Sequence, residues 1–311
     1  MRIRGAFFII IFLMTFFAGD RLIAFLLDKV LLRSQFRFSL LYKGGQQYDI
    51  IIMGNSRGVN SFYTSAIQEA TGKATVNLSY NGMSANLAEA LFMDYLDRNR
   101  KPKLLVLEIS NVTDESGLLN ELKLYTTSSE RLAKLLRTAN PQAAFWTEAS
   151  HIFKFNGEMF LRTLYYYQES DQTWINRYQI SPALLQSTRS GRQEILRATP
   201  ENLAALKRII NVARTQGIEV RAVVGPYLPA YCDQITNFQD WLNEIKRTIG
   251  SDIRIWDYSR AISDTTAFAD REHLNYRGSL VLLKELVQDG LFAEPAPTLP
   301  LTQSRRGDYS G

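Results

Sequence analysis

Short apolar runs alternating with helical segments constrain this chain more than any other feature. Tyr48-Asp49-Ile50-Ile51-Ile52-Met53 ends at Gly54, and Ala74-Thr75-Val76-Asn77-Leu78 is a second run. Segment 103–109 is a third, introduced by Pro102; 218–224 is a fourth, ended by Gly225-Pro226; 253–256 is a fifth. Runs this short and apolar, bounded by turn residues, read as strands buried on both faces. Helical patterns lie between them. One covers 61–70 and stops at Gly72. Ser84 can cap another, whose Leu87, Leu91 and Tyr95 share a face. Further helices are expected over 200–215, ended by Gly217, over 238–249 and over 276–288. Such alternation predicts an α/β fold: a doubly wound, mostly parallel five-stranded sheet covered on both faces. The alternation lapses over about 111–200, where helical segments such as 118–137 and an aromatic patch of Tyr165-Tyr166-Tyr167 and Trp174 suggest a helical insertion.

The N-terminus adds a second constraint. Arg2 and Arg4 precede an uncharged apolar run over 6–18, then Asp20-Arg21, then further apolar residues over 22–27. The positive flank favours a cytoplasmic N-terminus. A cleaved signal peptide, an uncleaved anchor and a buried N-terminal helix compete. Cleavage after Ala18 or Gly19 would put Phe16 or Phe17 where a small side chain is wanted. The anchor is therefore favoured, with Arg4 and Arg21 reaching the two interfaces. The expected organisation is an anchor over 1–32, a stalk over 33–46, the α/β domain over 47–292 and a disordered tail over 293–311 rich in Pro, Ser and Arg.

The 311 residues allow one large domain or two small ones, and 46% hydrophobic content supplies a core. A net charge of +5, spread along the chain without a basic stripe, gives nucleic-acid binding no support. Cys232 is the only cysteine, so no internal disulfide forms and cysteine usage does not report compartment.

Three segments carry chemistry. Gly54-Asn55-Ser56-Arg57 puts a serine on the turn after the first strand, where parallel α/β sheets bind ligands. Nearby backbone N–H groups could hold an oxyanion. The segment through Gly58 also fits the G-x-S-x-G elbow of α/β-hydrolases, but that elbow follows several strands rather than the first. A helix-capping Ser/Asn pair is the plainer alternative. Asp270-Arg271-Glu272-His273 is the second segment. Its three-residue spacing lets Asp270 orient one ring nitrogen of His273 while the other faces Ser56. Glu272 is the alternative orienter. His151, the other histidine, reads as a surface or packing residue, and two histidines without clustered carboxylates make no metal site. The third segment is Asn77-Leu78-Ser79-Tyr80-Asn81-Gly82.

Together these residues resemble the SGNH (GDSL-like) hydrolase superfamily, which is flavodoxin-like in fold. More narrowly they are similar to membrane-anchored members such as the teichoic-acid D-alanyl transfer protein and the alginate O-acetylation proteins. The resemblance covers about 47–110 and 200–290, and not the insert. It implies Ser56 as nucleophile, with Asn55 where many members carry Asp, and Asp270 and His273 as its partners, followed by Leu274-Asn275 and Gly278. It implies an oxyanion hole from Ser56 N–H, Gly82 N–H and Asn111. The third block departs from the family's Gly-x-Asn-Asp, reading Glu108-Ile109-Ser110-Asn111. If Asn111 is not a donor, the two backbone groups carry the oxyanion alone.

The implied activity is a membrane-anchored, extracytoplasmic serine esterase or O-acyltransferase, using no cofactor or metal and acting on an acylated polysaccharide or glycan. A membrane-bound acyl-transfer partner is an open option. The insert, with Tyr165 to Tyr167 and Trp174, could cover the site or bind glycan; packing is the commoner use of such residues. The competing expectation is a non-catalytic scaffold or assembly protein for cell-envelope polymers.

Overall fold

The structure is a computed structural model that describes residues 2–113 and 117–293, with the side chains of residues 2–5 left out. The tail expected over 293–311 lies outside the described residues except for Ala293, as do the Arg2 and Arg4 side chains.

Five parallel strands form one sheet in the order β2-β1-β3-β4-β5. They are β1 (Ile50–Met53), β2 (Thr75–Asn77), β3 (Leu104–Glu108), β4 (Glu219–Val224) and β5 (Ile255–Asp257). Each of the five expected runs supplies one strand; four are trimmed at their ends, while β5 begins later, runs one residue past its expected end and, as an edge strand, is only partly buried rather than covered on both faces. In register, Ile50 lies opposite Thr75 on one side and Leu104 on the other, while Leu104 also faces Glu219. Ile50, Ile51, Ile52 and Met53 are fully buried, as a central strand covered on both faces must be.

The first helices are α1 (Arg2–Leu31), α2 (Arg37–Lys43), α3 (Ser56–Ser61), α4 (Thr64–Thr71) and α5 (Ala85–Arg98). Those of the insert are α6 (Gly117–Glu121), α7 (Glu130–Ala139), α8 (Pro141–Ala149), α9 (Glu158–Tyr165) and α10 (Pro182–Arg189). The remainder are α11 (Pro200–Thr215), α12 (Pro229–Cys232), α13 (Phe238–Ile249) and α14 (Tyr276–Gln288). Helix α5 packs on α11 and α11 on α13, whereas α14 packs on α3 and α4. The fold is thus α/β with a doubly wound parallel sheet. Strand order reverses at β1, so the switch-point crevice opens at the carboxyl ends of β1 and β3.

Three further expectations need correction. The helix expected over 61–70 is α4, which starts only at Thr64; Ser61 ends the separate helix α3, where Asn77 Nδ2 donates to the Gly58 and Phe62 carbonyls at 3.0 and 3.1 Å. The helix over 118–137 is interrupted. A 3₁₀ turn over Leu122–Tyr125 buries Leu122, Leu124 and Tyr125, and Ser129 then caps α7.

The stalk over 33–46 is no stalk. Phe36, Phe38, Leu41 and Tyr42 are buried, and Phe36 and Phe38 pack against Tyr80. Arg37 pairs with Asp171 inside the protein, and Tyr42 Oη donates to Asp94 at 2.8 Å. Aromatic residues next to a charge were compatible with solvent exposure; a buried carboxylate from the insert makes the charge internal.

Helix α1 is long and apolar enough over Ala6–Leu31 to cross a membrane.

Candidate active site

The turn after β1 is closed by contact with β3. A Cβ on Gly54 would lie 2.7 Å from Glu108 Cβ, so only glycine fits. Asn55 then caps α3: its Oδ1 accepts from Arg57 N–H at 2.9 Å. Ser56 is the first residue of that helix, and its backbone N–H has no acceptor among the described residues. The helix-cap reading of this segment and the nucleophile reading are compatible, because Asn55 does the capping and the Ser56 hydroxyl takes no part in it.

His273 comes from the loop between β5 and α14. Asn275 fixes that loop. Its Oδ1 accepts from Gly278 N–H at 3.1 Å to cap α14, and its Nδ2 donates to the Thr266 and Phe268 carbonyls. Gly278 passes so close to Ala267 that a Cβ there would sit 2.1 Å from the carbonyl oxygen. Asp270 folds over the same turn and accepts from the backbone N–H of Glu272 and His273 at 2.8 and 2.9 Å.

These two segments meet. His273 Nε2 lies 2.7 Å from Ser56 Oγ, and His273 Nδ1 lies 2.8 Å from Asp270 Oδ2. An ionised Asp270 makes Nδ1 the protonated nitrogen, leaving Nε2 to accept from the serine. Burial raises the Asp270 carboxyl pKa, but hydrogen bonds from the His273 ring and the two backbone N–H groups outweigh it and hold it below the usual carboxylate range. His273 and Asp270 side chains are 22% and 30% exposed, open enough for a substrate to reach them. Glu272 does not orient the ring; its carboxylate lies beside Arg271.

The expected oxyanion donors divide. Gly82, at φ +72°, sits in the turn after β2, tied to the turn after β1 by Tyr80 N–H donating to Gly54 O at 3.2 Å. Asn111 lies in a 3₁₀ turn over Ile109–Val112, buried, with no hydrogen bond to Ser56 and with Oδ1 unpartnered. From the same 3₁₀ turn, Ser110 does reach the turn after β1: its Oγ donates to Glu108 Oε2 at 2.6 Å and lies 3.3 Å from Asn55 Oδ1.

Two buried charges beneath the site were not singled out from sequence. Arg57 and Glu108 are almost fully buried and approach to 3.6 Å. The Arg57 guanidinium lies 3.4 Å from the Tyr227 ring centroid and donates to the Gly225 carbonyl, while Gly225 N–H reaches Glu108 Oε1 at 3.4 Å. The pair therefore joins the carboxyl ends of β1, β3 and β4. The available signal was Glu108 itself, an acid at the end of an apolar strand, which cannot be buried without a partner.

Beside α3 is a small cleft of about 20 Å³ lined by Phe36, Arg37, Val59, Tyr80, Tyr166 and Trp174 among others. Of the tyrosine run, Tyr166 stacks on Phe36 and Tyr165 is exposed. His151 lies elsewhere, in a 3₁₀ turn over His151–Asn156 whose first N–H donates to Asp20. Cys232 is a buried core thiol. Among the described residues no three metal-ligating side chains cluster.

No family model matches the chain, and no curated protein matches it. Among solved structures, a Streptococcus pneumonia protein provisionally described as a platelet activating factor is similar at a TM-score of 0.41 and 14% identity, over 91% of this chain and 98% of that chain. That overlap is too loose to carry chemistry across, so the site is read from its own geometry.

Proposed function

We propose that this chain is a membrane-anchored, extracytoplasmic serine esterase or O-acyltransferase of SGNH type, acting on acyl groups of a cell-surface or exported polysaccharide. The observation that carries the reading is the continuous Asp270–His273–Ser56 relay, with links of 2.8 and 2.7 Å between segments 217 positions apart. Ser56 Oγ attacks the ester carbonyl while His273 Nε2 takes its proton. Collapse of the tetrahedral intermediate expels the alcohol, which receives that proton, and leaves an acyl-serine. Water or a sugar hydroxyl, deprotonated by the same nitrogen, then releases the acyl group. The Ser56 and Gly82 N–H groups are the proposed oxyanion donors. Asn111 becomes a third only if its amide swings out of its buried position. One such donor is worth about 3–4 kcal/mol of transition-state stabilisation.

The anchoring part of the reading rests on α1. The placement of the catalytic domain outside the cytoplasm rests on the positive flank of Arg2 and Arg4. A fluorophosphonate probe tests the chemistry directly. Intact protein is expected to label, and Ser56→Ala to lose the label entirely. A folded wild-type protein that stays unlabelled would favour the scaffold reading instead, for which the missing Asn111 contact is the best support.

A further inference from the structure

Beyond Asp20, α1 has two unlike sides. One is built into the insert. Asp20 accepts from Ser150 Oγ at 2.5 Å and from the N–H groups of His151 and Ile152 at 2.8 and 3.2 Å. Asp28 holds Lys154 Nζ at 2.8 Å, and Ala24 and Leu31 are buried. The other side presents Leu22, Ile23, Phe25 and Leu26, each about half exposed or more. Apart from Lys29, the charges of this stretch turn away from that side. Asp20 and Asp28 turn inward, and Arg21 donates to the carbonyls of Glu148 and Ala149. Lys29 lies over the Phe25 ring at the far end of the face.

The insert carries a matching patch. Phe145 and Trp146, on α8, are 61% and 47% exposed and pack edge to face. Ala149, at the end of that helix, forms a groove with Phe16, Phe17 and Arg21 of α1. Phe145 and Trp146 lie one helical turn before Ala149, so the patch stands next to the point where α8 meets α1.

Length decides what covers it. From Ala6 to Gly19, at about 1.5 Å per residue, α1 spans only about 20 Å. A hydrocarbon layer is about 30 Å thick. Arg21, expected at an interface, is instead held by carbonyls of the insert, and the span is completed by continuing to about Leu26, where one face of the helix is already occupied by the insert. A bilayer that reaches Leu26 also reaches the residues docked beside positions 16–21.

We propose that the insert is seated in the membrane interface, with Phe145 and Trp146 among lipid headgroups and upper acyl chains, together with the Leu22–Leu26 face. Aromatic side chains suit that boundary. The inference rests on the anchoring half of the reading above and not on catalysis.

The test uses the full chain reconstituted in phosphatidylethanolamine–phosphatidylglycerol vesicles containing lipids brominated near the carbonyl end of the acyl chains. Bromolipid is expected to quench part of the tryptophan fluorescence. Trp146→Phe should remove most of that quenching, and Trp256→Phe should leave it in place. A photo-crosslinker replacing Phe145 should form lipid adducts. Protein that floats with the vesicles while Trp146 stays unquenched overturns the inference alone. Protein that does not float overturns the anchor as well. Crosslinks from position 145 to a second polypeptide, in place of lipid, also overturn it.

Discussion

At the scale of single residues, the site stands or falls on His273. Because a nucleophile and its base act as a unit, His273→Ala is expected to lower ester turnover about as far as Ser56→Ala, by several orders of magnitude. Steady-state hydrolysis of a chromogenic acetyl ester measures both, and near-wild-type turnover in His273→Ala contradicts the assignment. Asp270 gives a pH signature. Its carboxyl pKa is lower in the folded protein than the unfolded value of about 3.9. Its contribution to stability is thus fully present above that value and is lost as pH falls through the lower folded value. The difference in melting temperature between wild type and Asp270→Asn should shrink as pH falls below about 4. A gap independent of pH down to the acid limit would show that Asp270 is not the titrating partner.

The three relay residues were legible in the sequence because each follows a strong local signal: a glycine turn after an apolar run, and a short acid-to-histidine spacing. Arg57 and Glu108 were not legible as a pair. Their contact joins residues far apart in the chain, and only the sheet register brings β1 beside β3. Asn111 shows the converse. A resemblance in sequence supplied a role that the local geometry does not yet satisfy, since the 3₁₀ turn after β3 buries the side chain.

At the scale of elements, strand positions were read from apolar runs and helix positions from periodicity, and both survive because they are local properties. Helix ends and breaks depend on side chains that arrive from elsewhere. Asn77 is the clearest instance: from the end of β2 it donates to the Gly58 and Phe62 carbonyls, and its Oδ1 accepts from Ser79 N–H at 3.0 Å. It thereby joins the helix that starts at Ser56 to the turn that bears Gly82. Asn77→Ala leaves these buried backbone groups unpaired and is expected to cost about 2–3 kcal/mol by urea denaturation. Ester turnover should fall too, because Ser56 and Gly82 lose their common support. A variant with wild-type stability would remove Asn77 from this role. The stalk expected over 33–46 failed for the same kind of reason: Arg37 is internal because Asp171, from the insert, is placed against it.

At the scale of the whole molecule, the insert links α1 to the sheet. Lys154 is buried and reaches both Asp28 and Thr127. Lys154→Ala removes one partner of a largely buried pair, a change that costs about 3–5 kcal/mol when both partners are fully buried. Asp28 is 26% exposed, so a loss of about 2 kcal/mol is expected here. The effect should be local. Hydrogen exchange should quicken over 127–165 while the amides of β1 and β3 stay protected. Uniform loss of protection would mean that the insert and the sheet unfold as one unit.

Only residues 32–36 separate α1 from α2, and Ser34 in that stretch is itself buried, its Oγ donating to the Thr163 carbonyl at 2.7 Å. There is no slack to let out. With α1 in a bilayer, the nucleophile would work at a single elevation, unable to lean toward or away from the lipid. Reach then belongs to the substrate: a long, mobile polymer can bring its esters to that level, whereas a short molecule held at another depth cannot.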